Sequence, residues 1–254
     1  MIEQKLYQDQ NFSLSYLVSG DPKNKTVILI PPGLGRARYY LPLIKILSNK
    51  YFVITIDLPG VNQSRLPKNS IPNIANSIII FLKNLRLENP TIIGESYGGS
   101  VAILISQALK VEKLVLIVCG EYFTLWQKII LSLFFIPTQF SSTLRKIYKK
   151  ALHSVASSKP NILDFSGFND QQLKIFSQRF VKTIWFKLPP NYHSSVKILI
   201  VASDTDQIIS RNNYSKIKNI FPNHKILYLH CNHFNCLISL EKNNYSDLLS
   251  FVSQ

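Results

Sequence analysis

Ser96 stands in Gly94-Glu95-Ser96-Tyr97-Gly98, between an apolar stretch ending at Ile93 and a second one running from Val101 to Leu109. A serine hydroxyl is a poor nucleophile at its free pKa, so it must be lifted clear of the backbone and set beside a base. A strand that turns sharply into a helix does the lifting. Gly94 and Gly98 omit the Cβ atoms that would collide in so tight a turn, and the helix N-terminus brings free N–H groups to the place where an oxyanion develops. Only nine of the 254 residues are glycine, so two of them at this spacing around a serine carry weight. The plain alternative is an ordinary glycine turn.

Such a serine needs a general base and an acid to orient it. Candidates follow two later apolar runs. Asp204 and Asp206 lie just past Val196–Val201, and His230 and His233 just past Lys225–Leu229. Glu121, past Leu114–Val118, is a further acid. His230 alternates with Tyr228 and reads as a packed or surface histidine. Asp204 reads as a cap of the turn or of the helix after it.

The elements that must position these groups follow from hydrophobic periodicity. Leu14–Val18 alternates and ends at Ser19-Gly20-Asp21-Pro22, which predicts antiparallel edge strands over residues 5–18. Val27–Ile30, Phe52–Ile56, the run before Ser96 and Leu114–Val118 are continuous apolar stretches, the pattern of parallel strands covered on both faces. Helical patterns separate them, through Leu41, Ile44 and Leu47 and over about Asn73 to Leu85. The alternation implies right-handed crossovers and an α/β class, with a mainly parallel, doubly wound sheet. It breaks over residues 121–190, which are helical in period, and resumes with strands at Val196–Val201 and Lys225–Leu229 and helices near Tyr214–Ile220 and Asn244–Val252. The expected organisation is a core of residues 1–120 and 191–254 with a helical cap inserted at 121–190, roofing the strand C-terminal ends.

The order Ser, Asp, His on this frame, with the nucleophile turn Gly94 to Gly98, resembles the α/β-hydrolase superfamily over nearly the whole chain. The resemblance implies a Ser-Asp-His serine hydrolase, esterase-like, with Ser96, Asp206 and His233 as its catalytic residues. Asp206 falls at the acid of a Gly-x-x-Asp-x-Ile/Val pattern, where Ser203 replaces the usual glycine, and His233 at the base of a Gly-His-Phe-like loop. The oxyanion hole needs two main-chain N–H groups. One is that of Tyr97, after the nucleophile. The resemblance implies Leu34 for the second, in Pro32-Gly33-Leu34-Gly35, where Pro32 replaces the family's histidine. Asp57-Leu58-Pro59-Gly60-Val61-Asn62-Gln63-Ser64 resembles the family's Asp-x-Pro-Gly-x-Gly-x-Ser turn; Asn62 replaces the middle glycine and tolerates the left-handed conformation that glycine serves. Asp57 is expected to be structural.

The function expected is cleavage of a small, apolar ester or thioester through an acyl-enzyme. Acyltransferases, carbon–carbon hydrolases and cofactor-free peroxidases share the same three residues, and a catalytically silent binding protein shares the fold. No cofactor or metal is expected. The three cysteines, Cys119, Cys231 and Cys236, have no metal-type spacing and are expected as free thiols. No basic segment followed by an apolar one opens the chain, so a cytoplasmic protein is expected. The net charge of +15 raises nucleic acid or anionic lipid as partners. No nucleic-acid motif accompanies it, which leaves membrane-surface contact as the lesser expectation. Residues 121–190 hold ten Lys or Arg against three Asp or Glu. The helix from Leu125 to Phe135 gathers Trp126, Ile129, Ile130, Leu133 and Phe134 on one face. That face is expected to pack on the core, or else to wall an acyl pocket.

Overall fold

The apolar runs assemble into one eight-stranded sheet in the computed structural model, which describes residues 1–119, 123–156, 168–188, 194–206, 208–209, 211–233 and 235–254. The strands are β1 (Glu3–Gln8), β2 (Ser13–Ser19), β3 (Thr26–Ile30), β4 (Phe52–Ile56), β5 (Thr91–Glu95), β6 (Lys113–Ile117), β7 (Lys197–Ser203) and β8 (His224–Leu229), in the spatial order β1-β2-β4-β3-β5-β6-β7-β8. The pairs β1–β2 and β2–β4 are antiparallel and the rest parallel. Every residue of β3, β5 and β6 is buried, as expected of strands whose two faces are both covered by helices.

One face carries α2 (Ile71–Asn84) and α3 (Tyr97–Ala108). Ile74, Ile78 and Phe81 of α2 and Val101 and Ile105 of α3 pack with Ile28, Ile54 and Ile92 of the sheet. The other face carries α1 (Leu41–Leu47), α8 (Cys236–Lys242) and α9 (Ser246–Ser253), whose Leu43, Leu237 and Leu248 pack with Val27, Ile93 and Val115. The α7 helix (Arg211–Ile220) joins β7 to β8. The α8 helix is absent from the sequence-based expectation; seven residues are too few to display a period.

Between β6 and β7 lie α4 (Leu125–Phe140), α5 (Ser142–Ala156) and α6 (Asp170–Trp185). Both α4 and α6 begin with reciprocal capping boxes, Thr124 with Gln127 and Asn169 with Gln172. The expected boundaries at 120/121 and 190/191, and Glu121, lie outside the described residues. Phe135, Tyr148, Leu173 and Phe176 form an aromatic cluster that closes on Leu34 of the core.

The expectation for α4 is corrected. Trp126, Ile129, Ile130, Leu133 and Phe134 do share one face, but all five are exposed, while Lys128, Ser132 and Thr138 are buried. Hydrogen bonds hold the polar side inward: Trp185 Nε1 donates to Ser132 Oγ at 2.8 Å, and Thr138 Oγ1 lies 2.7 Å from Ser177 Oγ. Helical period groups residues on a face without stating which way the face turns.

Candidate active site

The strand-to-helix turn takes the expected form. β5 ends at Glu95, α3 begins at Tyr97, and Ser96 between them has φ 49° and ψ −114°, a conformation costing about 1–3 kcal/mol that the surroundings must impose. The Ser96 N–H donates to the Ile117 carbonyl at 2.9 Å. A Cβ on Gly94 would lie 2.5 Å from the Gly98 carbonyl oxygen, and one on Gly98 would collide with the Ile30 carbonyl. Close backbone approach, rather than a positive φ, demands both glycines.

Across the mouth of the turn, Ser96 Oγ lies 3.0 Å from Nε2 of the buried His233. His233 Nδ1 lies 2.8 Å from Oδ2 of Asp206, whose side chain is fully enclosed. The other oxygen, Asp206 Oδ1, accepts the main-chain N–H groups of Ile208 at 2.7 Å and Ile209 at 2.9 Å, which fixes the carboxylate's direction. Ser203 adds a tie that glycine would lack: its hydroxyl donates to the Cys231 carbonyl, as does that of Thr205, joining the acid's loop to the base's loop.

The rivals fall elsewhere. His230 and Asp204 face each other at 3.2 Å, but the His230 side chain is 83% exposed. Asp204 pairs with a surface histidine. Asp57 is structural: Oδ1 accepts the Ala37 N–H and Oδ2 the Asn62 amide, each at 2.7 Å. Asn62, at φ 47°, occupies the left-handed region that its substitution for glycine anticipates.

Two cysteines depart from expectation. Cys231 and Cys236 form a disulfide instead of remaining thiols, because the loop carrying His233 folds back and brings their Cα atoms to 5.6 Å. Cys119 is buried and lies outside the pair.

A cleft opens over Ser96; its lining includes the apolar Leu34, Phe123, Phe176, Phe180, Ile208 and Ile209 together with Tyr39, Glu95, Tyr97, Thr183 and His233. The aromatic side chains Phe176 and Phe180 come from α6, not from α4. Leu34 and Tyr97 both reach the cleft, and neither main-chain N–H donates to a carbonyl among the described residues. No His, Cys, Asp and Glu grouping of metal-site character occurs among the described residues.

Two buried groups escape the sequence reasoning. Glu95 alternates with Gly94 along β5 and so points to the opposite face, where the Tyr39 hydroxyl donates to Oε1 at 2.7 Å. Its Oε2 is buried without a hydrogen bond. Burial pushes the Glu95 carboxyl up to about 7, against the opposing pull of Tyr39 and of His233. Arg179 of α6 is enclosed and forms no ion pair with a carboxylate among the described residues. Its guanidinium donates to the Gly33 carbonyl at 3.0 Å and to the Pro59 carbonyl, clamping α6 to the Leu34 loop and to the Asp57 turn. Burial lowers its pKa to about 10.

Comparison with known proteins identifies the fold family. A family model described as the alpha/beta hydrolase fold matches residues 25–160. The uncharacterized hydrolase YugF of Bacillus subtilis is 28% identical over 107 residues, which make up 40% of this chain and 38% of that protein. The chain thus matches well under half the length of that relative. Among solved structures, a hydrolase from Pseudomonas aeruginosa superposes with a TM-score of 0.81 at 15% identity, covering 99% of this chain and 98% of the other. An esterase from Exiguobacterium antarcticum superposes with a TM-score of 0.77 at 16% identity, covering 99% and 100%. At these identities the superpositions speak for the fold.

Proposed function

Because the chain belongs to the alpha/beta hydrolase fold family, we propose that it is a serine hydrolase that cleaves a small, apolar carboxylic ester or thioester through an acyl-enzyme on Ser96. The observation that carries this reading is the continuous line from Ser96 Oγ to His233 Nε2 at 3.0 Å and from His233 Nδ1 to Asp206 at 2.8 Å. In this reading His233 takes the Ser96 proton as Oγ attacks the acyl carbon, and the Asp206 carboxylate holds the imidazole in the required tautomer and faces the imidazolium. The N–H groups of Leu34 and Tyr97 receive the oxyanion. His233 then protonates the leaving alcohol or thiol, and the same base draws a proton from water for deacylation.

Substrate class follows from the lining. Six apolar side chains face the cleft, and among its described lining residues no Lys or Arg appears, while Glu95 adds a carboxyl. That composition favours an uncharged, apolar acyl group over a carboxylate-bearing one. The segment 121–190 acts as a cap whose α6 roofs the cleft.

The test is hydrolysis of p-nitrophenyl esters from acetate upward. The native protein is expected to hydrolyse them with kcat/KM rising with acyl length, and Ser96→Ala to lose about 10⁴-fold or more in kcat. Undiminished hydrolysis by Ser96→Ala would refute the assignment of Ser96, and a preference for acetate with no response to longer chains would refute the apolar acyl pocket.

A further inference from the structure

The α4 helix buries Phe135 but turns most of its large apolar side chains outward. Trp126, Ile130, Leu133, Phe134 and Phe140 are 74%, 62%, 70%, 55% and 83% exposed, and Leu125, Ile129 and Ile136 extend the same stripe. This turning is specified rather than incidental. The side facing the protein carries Ser132 and Thr138 in hydrogen bonds to Trp185 and Ser177, and Lys128 with its ammonium 5.4 Å from the centre of the Trp185 ring. A monomer in water gains nothing from exposing eight large apolar side chains on one helix, and contiguous patches of this kind mark interaction surfaces.

Charge selects the partner. Neither α4 nor α5 contains an Asp or Glu, whereas together they hold Lys128, Arg145, Lys146, Lys149 and Lys150. Lys146 and Lys150 are exposed beside Leu144 and Ile147, which are also exposed, and the whole chain carries +15. A second copy of the chain would set like charges against each other. An anionic bilayer supplies both complements: acyl chains for the Trp, Phe, Leu and Ile stripe, and negative head groups for the lysines. At 16 residues α4 is about 24 Å long, short of the ~30 Å hydrocarbon core, so it lies in the interface rather than crossing it. No helix among the described residues is long and apolar enough to span.

We propose that the exposed face of α4, with the lysines of α5, docks the protein on anionic lipid surfaces. Docking sets α6, which packs against α4 and lines the cleft through Phe176 and Phe180, about one helix diameter from the lipid. An apolar substrate dissolved in the bilayer then has a short path to Ser96. That last consequence rests on the hydrolase reading; the docking itself does not.

The experiment is co-sedimentation of the full chain with phosphatidylcholine vesicles, with and without about one-third phosphatidylglycerol. Binding to the anionic vesicles is expected. It should fall about tenfold or more in Ile130→Glu/Leu133→Glu, and comparably in Lys146→Glu/Lys150→Glu or on neutral vesicles. Both pairs are exposed, so unfolding midpoints by circular dichroism should stay near the native value. No sedimentation with anionic vesicles would overturn the proposal, as would equal binding by the Ile130/Leu133 variant. Sedimentation equilibrium showing a native dimer that this variant dissociates, without vesicle binding, would reassign the face to a second copy. These outcomes do not depend on esterase activity, so either reading can fail alone.

Discussion

Replacing Glu95 by Gln removes a buried carboxyl that the fold holds at an unfavourable charge state. The folded pKa of about 7 stands some 2.5 units above the ordinary value of 4.5, because burial outweighs the hydrogen bond from Tyr39. Below pH 4.5 the folded and unfolded chains both hold the proton, and the group contributes no pH dependence. Between 4.5 and 7 the unfolded chain has released a proton that the folded chain keeps, so stability falls as pH rises; above 7 the loss is complete. A full shift of this size corresponds to about 3 kcal/mol, of which about 2 kcal/mol falls between pH 5 and pH 8. Gln keeps an acceptor for the Tyr39 hydroxyl and cannot ionise. Urea unfolding of both proteins at the two pH values isolates the effect, since all other titrating groups are shared. Glu95→Gln is expected to gain about 2 kcal/mol on the native protein in going from pH 5 to pH 8. The same difference between the two proteins at both pH values would refute the burial argument. A second consequence concerns rate: Glu95 lines the same cleft as His233, so its ionisation should add a step to the native pH–rate profile that the variant lacks.

His233→Ala should abolish turnover and His230→Ala should leave it within about twofold, measured as kcat/KM on one ester, because His233 meets Ser96 whereas His230 pairs with Asp204 at the surface. Reduction of Cys231–Cys236 by a dithiol opens a loop of six residues, and should lower unfolding free energy by about 2 kcal/mol relative to the oxidised protein. Gly98→Ala sets a methyl group against the Ile30 carbonyl and should destabilise by more than about 2 kcal/mol in the same assay, although alanine is the better helix former.

What could be read from residues alone follows a physical line. Val27–Ile30 of β3 and Leu114–Ile117 of β6 are unbroken apolar runs because both their faces are covered, and a run of that kind identifies itself without help from the rest of the chain. Whereas the choice of Asp206 and His233 over Asp204 and His230 rests on the family resemblance, Ser96 sits in a turn whose chemistry, Gly-x-Ser-x-Gly, is written in consecutive residues. The direction of α4 is not of that kind. Its period declares a face, but whether Trp126 and Leu133 turn inward depends on Ser132 and Thr138 finding Trp185 and Ser177 more than 35 residues away. The Cys231–Cys236 pair depends on how the His233 loop folds back, which a spacing of five does not convey. Glu95 was within reach: strand alternation from Gly94 already turns it away from the α3 face and into the protein, where a carboxyl must find partners or keep its proton.

The proposed hydrolase requires Ser96 to be an activated nucleophile, and a fluorophosphonate probe followed by intact-protein mass measurement tests that directly. The native protein should gain one covalent adduct, located on Ser96 by peptide mapping, while Ser96→Ala and His233→Ala gain none and His230→Ala reacts like the native protein. A folded native protein that stays unlabelled, or an adduct that persists in Ser96→Ala, would contradict it.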